Sequence, residues 1–322
     1  MFYKVNDTSI RFTGRWDITE KAATTTAAGG MIEVGFSGTA AVLYFDMEMN
    51  MHPYPHLWIS VDGGAKIETA VDHVLRVEAP GAGNHVVRVI YKSAVEEQHR
   101  WYKPLIGKLR FTGFEAEGTA PLPEDKREII EFIGDSITEG VLIDAMYTFE
   151  QYNQNNRPNQ DDSTATYAYL TAMELGMKPV IMGYGAVGVT KSGCGSVPKA
   201  AEAYPYNFDG SPAKAQNPAV IVINHGANDR RQPVDLYVSE YRNLLKVVRK
   251  INPDARIVVL SAFCGVYPRE LAAMVEEFNR ENNDSVYFID STGWIPEEPL
   301  HPLRDGHRIV ARHLTEELRK IL

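Results

Sequence analysis

The feature that most constrains this chain is a change of hydrophobic period partway along it. From the start to about Gly118, apolar residues recur at every second position. Ile32, Val34 and Phe36 alternate with Glu33 and Gly35, and Leu57, Ile59 and Val61 alternate with Trp58 and Ser60. Val87, Val89 and Tyr91 repeat the rhythm, and Leu109 and Phe111 close it. Successive side chains of a strand point to opposite faces, so this period marks half-buried strands. Turn formers separate the runs: Gly29-Gly30, Gly38-Thr39, Asp62-Gly63-Gly64 and the Pro/Gly-rich stretch 80–84. The pattern predicts an antiparallel β-sandwich of jelly-roll type over residues 1–118, with no helix longer than a turn or two. Residues 119–127, with two prolines and a charge run, read as a linker.

Beyond the linker, apolar runs alternate with amphipathic ones. Residues 129–133 form a short strand running into Gly134-Asp135-Ser136, and 179–183, 219–224, 256–263 and 286–289 are strand-like. Helical spacing appears from Ser163, as N-cap, to Gly176, and over 236–251, 268–282 and 308–322. Strands apolar on both faces, alternating with helices, predict a three-layer α/β/α domain over 128–322, with a parallel sheet of about five strands. In such sheets functional groups gather beyond the carboxyl ends of the strands. The connection from Val141 to Asp162, carrying Tyr147, Phe149 and Tyr152, is long for its place and suits either a binding loop or a solvated insertion.

The charge balance excludes one class of partner. The chain carries a net charge of −9 and no cluster of cations, so nucleic acid is not expected. Cys194 and Cys264 are too few for a disulfide framework, and no CxxC pair points to a metal; both read as small buried hydrophobes. The opening residues lack the basic and apolar regions of a leader, and no apolar run is long enough to cross a bilayer. A soluble, cytoplasmic protein with no membrane partner is expected; a homo-oligomer is compatible with the sequence, which does not fix the assembly.

Four short segments carry the chemistry. Gly134-Asp-Ser-Ile-Thr-Glu-Gly140 follows the first parallel strand, and Gly183-Tyr-Gly-Ala-Val-Gly188 the second. Gly226-Ala-Asn-Asp229 ends the third, and Glu298-Pro-Leu-His301-Pro302 lies past the last. Thr138 replaces the second glycine of a Gly-x-Ser-x-Gly elbow, so this is not an α/β-hydrolase signature. Taken together and in this order, the segments resemble the four blocks of the SGNH (GDSL-type) hydrolases over residues 128–322. The resemblance implies Ser136 as nucleophile and His301 as general base. It gives the Ser136 N–H, the Gly185 N–H and the Asn228 side chain to the oxyanion hole, with Gly188 as the other glycine that fits the second block. Glu298, three residues before His301 where the family usually has Asp, is expected to hold the imidazole; a Ser–His dyad aided by a backbone carbonyl is the alternative. No metal or organic cofactor is implied. His225, His307, His313 and the histidines of the first half read as structural.

A jelly-roll domain placed before an SGNH domain resembles the family-2 carbohydrate esterases, on architecture and on features such as Phe12-Thr-Gly-Arg15, Phe36-Ser-Gly-Thr39 and Val61-Asp-Gly63. That resemblance implies a serine esterase removing O-acetyl groups from acetylated xylo- or manno-oligosaccharides through an acyl-serine. Trp101, Tyr102, Trp294 and Tyr147 are then candidates for stacking on sugar faces, although each taken singly better suits a core or junction position. Two other readings share the residues: a general short-acyl, lipase-like esterase, and a degenerate hydrolase that only binds sugar. The joint presence of Ser136, Asn228 and His301 weighs against the last.

Overall fold

The computed structural model describes residues 1–145 and 157–322. Its first half is a nine-stranded antiparallel, jelly-roll-like sheet built around two long strands, Met31–Phe45 and Val74–Ser93. Gly38 and the 80–84 stretch, which read as turns, lie inside these strands, with Gly38 paired to Gly83. The register is irregular just after Gly38, where the backbone turns left-handed at φ +121°. The register shift there changes which face the next side chains occupy. Ile32, Val34 and Phe36 before the bulge and Ala41, Leu43 and Phe45 after it therefore all enter one core. A second irregularity beside Gly113 does the same for Leu109 and Phe111 against Phe114 and Ala116. The period-two signal thus found the right inward residues, while the glycines mark bends rather than ends.

After the 120–128 connection, five parallel strands follow in the spatial order Lys178–Gly183, Ile129–Gly134, Val220–Asn224, Arg256–Leu260 and Tyr287–Ile289. Alternate residues serve opposite faces. Phe132, Val222 and Val258 pack with Tyr167, Val310, Leu314 and Leu318 from helices Tyr167–Glu174 and Arg304–Arg319. Ile133, Ile223 and Val259 meet Tyr241, Leu244 and Val248 of Val234–Ile251, and Leu271 and Phe278 of Pro268–Asn282. Two boundaries differ from expectation. Asp162 caps a 3₁₀ turn over Ser163–Ala165, and it is Thr166 that caps the following helix, accepting from Tyr169 N–H. The last helix begins at Arg304, four residues early, because Arg304 is held there by Asp144 across the loop.

The two halves are locked together by buried ions. Arg15 donates to Glu131 in the first parallel strand at 2.9 Å, and Tyr204 Oη donates to the other oxygen of that carboxylate at 2.8 Å. Arg100, wholly buried, forms a two-pronged pair with Glu139. Lys92 and Ser93 both donate to the Pro158 carbonyl at 2.7 Å, so the described end of the 141–162 connection is a junction rather than a solvated insertion. Cys194 and Cys264 are unpaired and half-buried, more open than expected.

Two buried histidines make the fold acid-sensitive. His307 Nδ1 accepts the Tyr167 N–H at 3.0 Å, which requires a neutral ring, and burial pushes its pKa down to about 3. Burial holds His225 down to about 4. Each ring binds a proton more readily once unfolded, so its contribution is intact above the ordinary value of 6.5 and is lost as pH falls toward those values. Asp135 and Asp161, both raised to about 7 by burial, act oppositely: their contribution is full at acid pH and weakens as pH rises through about 7. Replacing His307 by Gln, which can still accept from Tyr167, is expected to flatten the fall in urea stability between pH 6.5 and 4. Arg100→Met leaves Glu139 buried without its partner and is expected to cost about 3–5 kcal/mol in the same assay.

Candidate active site

The strand Ile129–Gly134 delivers Ser136 to the carboxyl end of the sheet. Gly134 is obligatory at that exit, since a Cβ there would stand 2.1 Å from Thr138 Oγ1. Asp135 then caps a single helical turn, Ser136–Glu139, accepting from Ile137 N–H at 2.9 Å, and Gly140 ends the turn at φ +94°. The serine is fixed on the first residue of this turn, nearly buried at 5% exposure. Its Oγ lies 2.9 Å from Nε2 of His301, which stands on the loop before the terminal helix. Residues 165 positions apart in the chain therefore form one hydrogen-bonded pair. Burial holds the His301 pKa below the ordinary imidazole value; Glu96 opposes this, while Arg157 and Arg230 add to it.

The other two segments meet beside this pair. Asn228 Nδ2 donates to the Val187 carbonyl at 3.0 Å and, at a long 3.3 Å, to Asp135 Oδ2 next to the serine. Asp229, fully buried, receives the Val189 and Thr190 N–H groups and so pins the loop that carries Gly185. The Gly188 N–H donates to the Lys191 carbonyl at 3.0 Å, and the Gly185 carbonyl accepts from the Cys194 N–H at 2.8 Å. The Asp135 carboxyl is pushed up to about 7, chiefly by burial, with Ile137 N–H opposing and Asp229 adding to the rise.

Other expected residues lie elsewhere. Glu298 is exposed, forms no hydrogen bond or ion pair with a described residue, and is not among the charges that weigh on His301. A carboxylate on an open loop keeps its hydration at no cost, whereas burying it against the imidazole would need compensating donors. Trp101, expected as a sugar platform, is 4% exposed within the core and edge-on to Tyr206, so both faces are covered. Trp294 is half-buried with its ring stacked on His313 at 5.2 Å. Tyr102 is exposed, and Tyr147 falls outside the described residues. His225, His307 and His313 make no contact with Ser136.

Glu96 and Arg157 carry no signature in the sequence. Arg157 is buried and pairs with Glu96 at 3.0 Å and with Asp161 at 3.3 Å. Glu96 comes from the first half, where a Glu-Glu pair in a loop looks like solvated surface.

The GDSL-like lipase/acylhydrolase family matches residues 132–309. The cellulase/esterase CelE of Acetivibrio thermocellus is 26% identical over 97% of this chain, which spans only 39% of that protein's length. An acetylxylan esterase/glucomannan deacetylase of Cellvibrio japonicus is 22% identical, covering 98% of this chain and 90% of that protein. In fold, a family two carbohydrate esterase from Cellvibrio japonicus superposes on the whole chain and 97% of its own, with a TM-score of 0.83 at 20% identity. With Ser136, Asn228 and His301 all inside the matched stretch, this chain belongs to the GDSL-like lipase/acylhydrolase family.

Proposed function

We propose that the protein is a serine esterase that removes O-acetyl groups from acetylated carbohydrates. The observation that carries the esterase reading is the 2.9 Å contact between Ser136 Oγ and His301 Nε2 at the mouth of the parallel sheet. An unactivated hydroxyl attacks an ester poorly, so the base must take its proton as the new bond forms. His301, kept neutral by burial, is ready to accept that proton. Ser136 Oγ bonds to the acyl carbon, and the tetrahedral oxyanion falls to the Ser136 and Gly185 N–H groups and Asn228. Asn228 can turn its long hydrogen bond from Asp135 toward the oxyanion while keeping Val187. The proton then passes from His301 to the departing sugar oxygen, leaving an acyl-serine. Water, deprotonated by the same imidazole, releases the acid.

The carbohydrate half of the proposal is supported by the relatives: one is named an acetylxylan esterase/glucomannan deacetylase and another a cellulase/esterase. A short-acyl esterase acting on other alcohols would use the same residues, and a series of esters separates the two. Acetate release from acetylated xylo- or manno-oligosaccharides, with rates collapsing beyond propionyl in model esters, is the expected result. Efficient cleavage of long acyl chains with acetylated sugars untouched would overturn the sugar assignment. Ser136→Ala is expected to abolish turnover with the thermal transition unchanged. Asn228→Ala should lower kcat by about 10²–10³-fold, the usual cost of one oxyanion donor. Because burial lowers the His301 pKa, the acid limb of kcat/KM is expected below pH 6.5, activity falling only as the pH drops through that lowered value.

A further inference from the structure

We propose that Arg100, supplied by the first half of the chain, is a positioning residue for catalysis: through Glu139 it sets the turn that presents Ser136 to His301. The inference rests on the Ser136–His301 reading of the site. That turn, Ser136–Glu139, is four residues long and ends at once in left-handed Gly140. A single helical turn has no stability of its own, because closing it fixes several dihedrals for very few hydrogen bonds. What holds the turn from outside therefore decides where the serine stands.

The holding contacts divide between the halves. Asp135 caps the Ile137 N–H, and Thr138 Oγ1 lies 2.8 Å from Tyr167 Oη; both belong to the second half. Glu139, the last residue of the turn, is gripped from the first half by Arg100, whose Nη1 and Nη2 donate to its two carboxylate oxygens, the second at 3.2 Å. The contact has little slack. Both side chains are buried, and a Cβ at Gly183 would stand 2.5 Å from the Glu139 nitrogen, so the end of the strand Lys178–Gly183 presses on the same residue. From Glu139 the turn leads straight back to the serine. The Glu139 N–H donates to the Asp135 carbonyl at 2.9 Å, and the Gly140 and Val141 N–H groups both donate to the Ser136 carbonyl at 3.0 Å. A shift at the Glu139 end carries the Ser136 backbone with it.

Arg100 is itself closely placed. Its N–H donates to the Gly195 carbonyl at 3.0 Å, and its guanidinium stands 5.2 Å from the centre of the Tyr184 ring, whose hydroxyl lies 3.0 Å from Thr26 Oγ1. A Cβ at Gly107 would come within 2.9 Å of Arg100 Cγ, so glycine there leaves the arginine room. Its Nε is buried with no hydrogen bond among the described residues. A buried N–H left unpaired is costly, so the side chain is oriented by Glu139 rather than by its own hydrogen bonding. Another buried pair between the halves offers a contrast. Arg15 donates to Glu131, within the strand Ile129–Gly134, and to the Tyr204 and Tyr206 carbonyls, but to no residue of the turn.

The test compares Arg100→Lys and Gly107→Ala with Arg15→Lys as control. Lysine keeps the charge but lacks the planar fork that holds both carboxylate oxygens. Alanine at 107 displaces Arg100 without removing any polar group. The rate of Ser136 labelling by a fluorophosphonate, and kcat and KM for a small acetyl ester, are measured well below each variant's thermal transition. In Arg100→Lys, labelling and kcat are expected to fall by about 10- to 10²-fold with KM little changed, since misplacing a reacting group by an ångström can cost about 10²-fold. Gly107→Ala should show a smaller fall in the same two rates. Arg15→Lys should lower the thermal transition as Arg100→Lys does, yet label at the parent rate. Equal labelling of the parent and Arg100→Lys would overturn the proposal. An equal fall in Arg15→Lys would do so too, by reducing Arg100 to a docking contact. Should Arg100→Lys fail to fold, a parental labelling rate in Gly107→Ala overturns it. A parent that is not labelled at all would sink the Ser136–His301 reading itself and this proposal with it.

Discussion

The structure depends on charges that one half of the chain buries for the other. Glu131 sits in an otherwise apolar strand and Glu139 one helical turn after the nucleophile, where a lone carboxylate would be costly. Arg15 and Arg100, both from the first half, neutralise them through directed hydrogen bonds. Such pairs contribute little net stability compared with apolar packing, but breaking one is expensive. Their effect is to fix the docking of the two halves to a single geometry, and the turn carrying Ser136 is part of what they fix.

That docking explains why the site is built as it is. The parallel sheet brings Ser136, the Gly185 loop and Asn228 to one edge through strand order alone, and His301 arrives on the loop that follows the last strand. Glu96 of the first half and Arg157 from the far end of the long connection form an ion pair beside Gly185. Asp229 holds the loop that carries Gly185, and Asp135 beside the serine receives Asn228. A catalytic pair that needs geometry good to a few tenths of an ångström is thus supported by polar contacts from several elements.

Much of this was legible in the residues. Period-two runs marked the inward side chains of the first sheet, and apolar strands alternating with helices pointed to a parallel sheet of about five strands. The four strand-end segments pointed to Ser136 and His301 through their resemblance, taken together and in order, to the SGNH blocks. The reading went astray where a residue's role depends on what approaches it. Gly38 reads as a turn but is a bulge inside a strand, because the pairing with Gly83 comes from a distant segment. Trp101 reads as a surface platform but is covered by Tyr206 and the neighbouring core. Glu298 has the right spacing from His301 and stands in solvent instead.

What the sequence by itself determined is local and periodic: which residues face inward, where strands and helices alternate, and which small segments carry reactive groups. Those follow from backbone geometry and from the chemistry of single side chains. Only the tertiary structure decided which carboxylates are held by a buried partner, because that depends on two surfaces meeting and on which charges are buried when they do. Glu96 and Glu298 are the same residue type in similar loops. They differ in that one is pressed against Gly185 by a buried arginine and the other is left to water.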